Sequence, residues 1–138
     1  MAKVLKGKPI IRGEAKGQAV VSRQPISFWG GVDPTTGEII DQRHDCSGKN
    51  IAGKVFVFPT GKGSSTGSAV LMESIHNGSA PAAIINFKID PILALGAIVA
   101  EEIYKKTVPI VIVSKDDWES IQDGDLLTID REGNILIG

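Results

Sequence analysis

The spacing of apolar positions changes along the chain and divides it into three stretches. Residues 1–26 read as β-rich. Pro9-Ile10-Ile11-Arg12-Gly13 and Gln18-Ala19-Val20-Val21-Ser22 are short β-prone runs between glycine-containing turns. Residues 27–50 show no period. Phe28 to Gly37 is rich in glycine and turn residues around two large aromatics, and Asp41 to Gly48 is dense in polar side chains. A loop of this length carries function or is disordered, and Phe28 and Trp29 argue for anchoring, in a core or at a subunit interface.

From residue 54 the pattern is regular. Val55 to Phe58, after Lys54, is a continuous apolar strand of the kind buried on both faces. A helix is predicted over Ala69 to His76 through Val70, Leu71 and Ile75, with Asn77-Gly78 as its stop. Ala82 to Phe87 reads as a second buried strand. Asp90 then caps a helix whose first residue is Pro91 and which runs to about Lys106. Ile92, Leu95, Val99 and Ile103 form its apolar stripe, and Glu101, Glu102, Lys105 and Lys106 its wet end. Pro109 to Val113 is a third buried strand, Asp116 to Ile121 a short helix, and Leu126 to Ile129 a closing strand that pairs with Asn134 to Ile137. Strands joined by helical crossovers make a parallel β-α-β core. The expectation is α/β: one domain over residues 1–138, the core carrying a β-barrel-like part.

Composition narrows the function. A net charge of -1 with scattered Lys and Arg argues against a nucleic-acid footprint. Cys46 is the only cysteine, so an internal disulfide is excluded, and an iron–sulfur cluster needs about three or four thiolates. The longest apolar stretch, Pro91 to Ala100, is roughly half a membrane span, and no apolar run of signal-peptide length follows the basic N-terminus. A cytoplasmic protein without a membrane segment is expected.

The chemistry is concentrated in Gly61-Lys62-Gly63-Ser64-Ser65-Thr66-Gly67-Ser68, between the first buried strand and the helix that follows. Glycines let the backbone come close to a ligand, and a helix start aims N–H groups at an anion. A P-loop requires Gly at position 56, which is Phe56, and Ser or Thr after Lys62, where Gly63 stands. A dinucleotide fingerprint requires Gly at position 66, which is Thr66. The remaining readings are an anion-binding turn and a helix cap with surplus hydroxyls.

This octapeptide, with Val70-Leu71-Met72-Glu73, Gly78 to Ile85, Asp90 to Ala100 and Pro109-Ile110-Val111, resembles the swivelling domain of the aconitase X group over about residues 8 to 137. The resemblance implies a swivelling β/β/α fold docked on a large catalytic subunit. It also implies a 4Fe-4S cluster held by that subunit's cysteines, where iron acts as a Lewis acid on a leaving hydroxyl. The implied activity is that of a hydro-lyase, inactive as this chain alone. Its implied substrate is a phosphorylated hydroxy acid, (R)-5-phosphomevalonate, dehydrated to trans-anhydromevalonate 5-phosphate. Dehydration of cis-3-hydroxyproline is the nearest alternative within the group, and a non-catalytic anion-binding module is the alternative outside it.

The family's base falls on Ser64, which would take the proton next to the substrate carboxylate. A serine hydroxyl is far too weak an acid for this unaided, and each unit of pKa lowering takes about 1.4 kcal/mol. A helix N-terminus contributes about 0.3–2 kcal/mol, so further donors are needed. The N–H groups of Ser65 and Thr66, the Lys62 side chain and a cation from the large subunit are the candidates. Lys62, Gly63, Ser65, Thr66 and Ser68 are the expected substrate-binding residues. Elsewhere, His44 and Asp45 read as surface or interface structure, since neighbours in sequence seldom face each other. Cys46 reads as a structural thiol, and Asp33 and Asp41 as turn residues.

Overall fold

A computed structural model describes residues 3–62 and 66–138. Eight strands form one mixed sheet: β1 (Lys3–Lys6), β2 (Lys8–Ile11), β3 (Ala15–Val21), β4 (Val55–Val57), β5 (Ala83–Asn86), β6 (Ile110–Ile112), β7 (Leu126–Ile129) and β8 (Asn134–Ile137). Their order is β1-β8-β7-β3-β4-β5-β6-β2. β1 and β2 are separated in sequence by Gly7 alone, yet lie at opposite edges, so the sheet curls into a nearly closed barrel. Gly7 is the seam. Its N–H donates to Gly133 O at 3.0 Å, and a Cβ there would collide with the Val111 side chain.

β3 is shared by two pairings. Its first half runs antiparallel to β7 and its second half parallel to β4, and β4, β5 and β6 continue the parallel set. The expected burial on both faces is realised by alternation. Val55, Val57, Ala83, Ile85 and Val111 point into the barrel core with Leu127 and Ile135. Phe56, Phe58, Ile84 and Ile110 point the other way, into a second core.

That second core is roofed by α2 (Thr66–Asn77) and α3 (Pro91–Tyr104). α2 begins at Thr66, three residues before the apolar period does, and ends as expected at Gly78, whose φ is 78°. Asp90 caps α3, accepting from the N–H groups of Ile92 at 2.9 Å and Leu93 at 3.4 Å, with Pro91 first in the helix. α3 stops at Tyr104 because Lys105 turns left-handed. A short helix, α4 (Lys115–Glu119), is capped by Ser114 and starts one residue before the expected Asp116.

The expected apolar stripe of α3 is not its buried face. Leu93, Ala94, Gly96, Ala97 and Ala100 face inward, while Leu95 and Ile103 are exposed. From Pro91 to Ala100 α3 is apolar on every side, so period alone did not choose its face. Close approach to α2 did: a Cβ on Gly96 would lie 2.8 Å from Ser68 O, and only the small-residue side admits that contact.

Residues 27–50 form a packed layer rather than a disordered loop. A single irregular turn, α1 (Phe28–Gly31), drives Phe28 into the core against Phe56 and Phe58, with ring centroids 6.4 and 6.2 Å apart. Val32, Ile39, Cys46 and Ile51 are buried beside it. Trp29 and Gly30 leave helical dihedrals, and Trp29 is 62% exposed. Phe28 is thus the core anchor, and Trp29 belongs to the surface.

His44 departs from the surface reading: it is buried, held by Ser22 at the end of β3, while Asp45 stays exposed and bonds to the same serine. The Cys46 amide donates to His44 Nδ1 at 3.1 Å, which places the ring proton on Nε2, 3.1 Å from Ser22 Oγ. Ser22 Oγ also accepts from the Gln24 amide at 3.0 Å and donates to Asp45 Oδ1 at 2.6 Å. Asp45 Oδ1 lies 3.2 Å from Nδ1, but that nitrogen already accepts a proton from Cys46, so the approach is not an ion pair. Partial burial pushes the Asp45 carboxyl up, but the Ser22 hydroxyl and the Arg23 amide outweigh it and hold the carboxyl below its usual 3.8. The stabilisation this gives is present at neutral pH and is lost as the pH falls below that value.

Two outcomes follow from this staple. Ser22→Ala strips the nearer partner from a buried His44 N–H and one donor from Asp45, leaving Gln24 O at 3.4 Å for the ring. It should cost about 1–3 kcal/mol in urea unfolding, and no loss would contradict the network. Burial, then the Asp45 charge, pushes the Cys46 thiol up to about 11. At pH 7 the native thiol should therefore resist maleimide and react at the rate of unfolding.

Candidate active site at the glycine-rich turn

The parallel run of β3 and β4 continues past the ends of both strands. The Ser22 N–H donates to Val57 O at 2.8 Å, and further on Gly61 bridges Ile26 in parallel, with the Lys62 N–H donating to Ile26 O at 2.9 Å. The upstream leg of the turn is therefore held as if it were another strand residue. The Ser22–His44–Asp45 staple fixes Ser22 to Gln24, two residues before Ile26.

The downstream leg enters α2. Thr66 is exposed, Gly67 is buried and Ser68 is half-buried. A Cβ on Gly67 would touch Phe28 Cβ at 3.9 Å, and Ser68 packs on Gly96 of α3. A twelve-residue helix thus starts where the turn ends and directs the positive end of its dipole there.

A third element closes the frame. One Asp90 oxygen caps α3, and the other lies where a Cβ on Gly61 would stand. Gly61 is required because the carboxylate occupies that space. The Asp90 signal in the sequence was a helix cap; its contact with the turn had no local signature.

Of the sequence-predicted site residues, the structure places Lys62, Thr66 and Ser68 on the two legs of one turn, with Lys62 exposed. Gly63, Ser64 and Ser65 lie outside the described residues. Between the legs is a niche of about 50 Å³, lined by Ile26, Phe28, Gly61, Lys62, Asp90 and Leu93, among others. It has room for one or two waters and none for a substrate. An open groove of about 560 Å³ at Arg23, Pro59, Phe87, Lys115 and Trp118 contains none of the predicted residues.

His44, Asp45 and Cys46 bring one ligand atom each within 4.8 Å of one another. That set does not suit a metal, because the imidazole Nδ1 accepts a backbone amide, the thiol is protonated and its Sγ donates to Val21 O at 3.3 Å. Among the described residues, no helix is long and apolar enough to cross a membrane.

Residues 4–137 match the family model for the aconitase X swivel domain. The chain is 47% identical over 133 residues to the phosphomevalonate dehydratase small subunit of Methanosarcina acetivorans, covering 95% of this chain and 88% of that one. It is 43% identical over 126 residues to cis-3-hydroxy-L-proline dehydratase of Pseudomonas aeruginosa, where it matches 86% of this chain but only 22% of that protein. The crystal structure of holo aconitase X from Thermococcus kodakaraensis superposes with a TM-score of 0.89 at 40% identity, covering 99% of this chain and 98% of that one. Family model, sequence relatives and fold agree over nearly the whole length: the chain belongs to the aconitase X swivel-domain family.

Proposed function

We propose that this chain is the small subunit of a two-subunit hydro-lyase that dehydrates (R)-5-phosphomevalonate to trans-anhydromevalonate 5-phosphate, in an archaeal-type mevalonate route to isoprenoids. The observation that carries this reading is its likeness, over nearly the full length of both chains, to a protein named as the small subunit of that dehydratase. Residues 1–138 act as one swivelling unit in this reading. The partner is a large subunit that holds the 4Fe-4S cluster, and the work is done in the cytoplasm.

The dehydration breaks a C–H bond next to the carboxylate and a C–O bond on the following carbon, and a C=C bond forms as water leaves. Ser64 is the residue we assign to the proton. In sequence it lies between Lys62, held by Ile26, and the start of α2, packed on Phe28 and Gly96. Lys62 and the N–H groups at the start of α2 favour negative charge there. Lys62, Gly63, Ser65, Thr66 and Ser68 would bind the substrate's anionic oxygens. The single cysteine, protonated and bonded to a backbone carbonyl, does not suit a cluster, so departure of the hydroxyl falls to the partner's chemistry.

The likeness to cis-3-hydroxy-L-proline dehydratase, at similar identity, supports a second reading with the same fold and base but a different substrate. The deciding experiment is anaerobic reconstitution with the candidate large subunit, with both substrates assayed side by side. Dehydration of (R)-5-phosphomevalonate that requires both chains is expected, and turnover of cis-3-hydroxyproline alone would replace the substrate. In the active complex, Ser64→Ala should lower turnover by about 10²–10⁴ with assembly intact. Near-normal turnover would sink the base assignment. The chain purified alone should hold no stoichiometric iron or sulfide by elemental analysis.

A further inference from the structure

α3 has no charged residue from Pro91 to Ala100. Its inward face is complete: Leu93, Ala94, Gly96, Ala97 and Ala100 are buried, and at Gly96 the packing against α2 leaves no room for a methyl group. Its outward face is apolar over the first two and a half turns, and at Ile98 it borders a groove lined also by Arg12, Glu101, Glu102 and Arg131. Leu95 is 57%, Ile98 52% and Ile103 59% exposed, with Ile92 and Val99 half-buried between them and Ile89 exposed just before the cap. A helix that is hydrophobic all round belongs in an interior, and a contiguous patch of this kind marks an interface. Lys88 before the helix, and Glu101, Glu102, Lys105 and Lys106 at its end, give the patch a polar rim.

The position of the patch identifies its occupant. The first turn of α3 borders the niche beneath the glycine turn, through Ile92 and Leu93. Phe28 lines the same niche, and Trp29, the next residue in the chain, is exposed. A body seated on the outer face of α3 therefore lies, at the first turn of the helix, beside the niche and the two described legs of the turn. The niche holds about 50 Å³, so the substrate site needs a roof from outside the described residues. A second copy of this chain would bring only its own turn and its own buried, protonated thiol.

We infer that the outer face of α3, with Trp29, is the surface on which the large subunit docks and through which it roofs the Gly61–Ser68 turn. The inference rests on the reading of the chain as a small subunit. In the Pseudomonas aeruginosa relative the matching segment is about a fifth of one longer chain, and the same face would there meet the rest of that chain.

The test is assembly with the candidate large subunit, measured as a dissociation constant. Leu95→Glu with Ile98→Glu places two charges on the exposed face and should weaken assembly at least ~100-fold, with the circular dichroism spectrum and melting midpoint of the isolated chain unchanged. Val4→Glu with Leu136→Glu, on exposed positions of β1 and β8, should leave assembly within a few-fold. Hydroxyl-radical footprinting of the unmutated complex gives a reading that does not depend on how the variants fold. Leu95, Ile98 and Ile103 should be protected in the complex. Unchanged affinity of the α3 variant, or no protection of α3, overturns the inference and leaves the two-subunit reading standing. Failure of the unmutated chains to associate overturns both. A stable homodimer of this chain that the α3 charges dissociate makes a second copy the occupant and also overturns it.

Discussion

The structure depends on the parallel alignment of β3 and β4 being carried beyond the strands. Within the strands Ala19, Val20 and Val21 pair with Val55, Phe56 and Val57; past them the contact continues from Ser22 to Val57 and from Ile26 to Gly61 and Lys62. A backbone hydrogen bond is worth only about 0.5–1.5 kcal/mol net, but a register is a geometric commitment. Once Ile26 holds Lys62, the glycine turn has one fixed leg. The second leg is fixed by α2, which cannot slide because Gly96 of α3 is pressed against Ser68. Asp90 links the two by capping α3 and filling the space beside Gly61.

This frame explains the cost of several buried polar groups. Ser22, His44 and Asn86 are almost fully buried, and among the described residues no buried side-chain polar atom lacks a partner. Each of the three serves a strand end. Ser22 and His44 tie the end of β3 to the 41–50 loop, while Asn86 Nδ2 donates to Phe58 O at 2.8 Å, beside the Trp118 indole at 3.2 Å from the same oxygen. The polar groups sit where the strands stop pairing and the chain must be steered into loops. An apolar residue there would leave backbone groups unsatisfied.

What was legible in the sequence follows the same line. The buried strands, the Asp90-Pro91 helix start and the Asn77-Gly78 stop were readable because each is set by neighbours a few residues apart. The inward face of α3 was not, because a helix apolar on all sides has no periodic signal and its face is chosen by α2. The Ser22 contact to His44 and Asp45 spans more than twenty residues and has no local pattern. The same holds for Asp90 on Gly61. The glycine turn was located from its composition, but its anchors come from three separate elements that only the fold assembles.

The arrangement is consistent with the proposed role of this chain as one side of a site. Both legs of the turn are rigidly held, which suits a group that must be aimed to within a fraction of an ångström. The niche between them is too small to enclose a reactant. Rigid aim without enclosure is of little use in water, where the electrostatic help of N–H groups and a lysine is screened. Removing that water requires a second surface, and supplying it from a separate body has a physical advantage. In the proposed reading, the base and the leaving-group chemistry would meet only when the two bodies close, so the reacting proton and hydroxyl would be handled in a dry space around the bound substrate. The exposed apolar side of α3 lies next to the niche, where closing would bury hydrophobic surface in the same movement that excludes water from the turn.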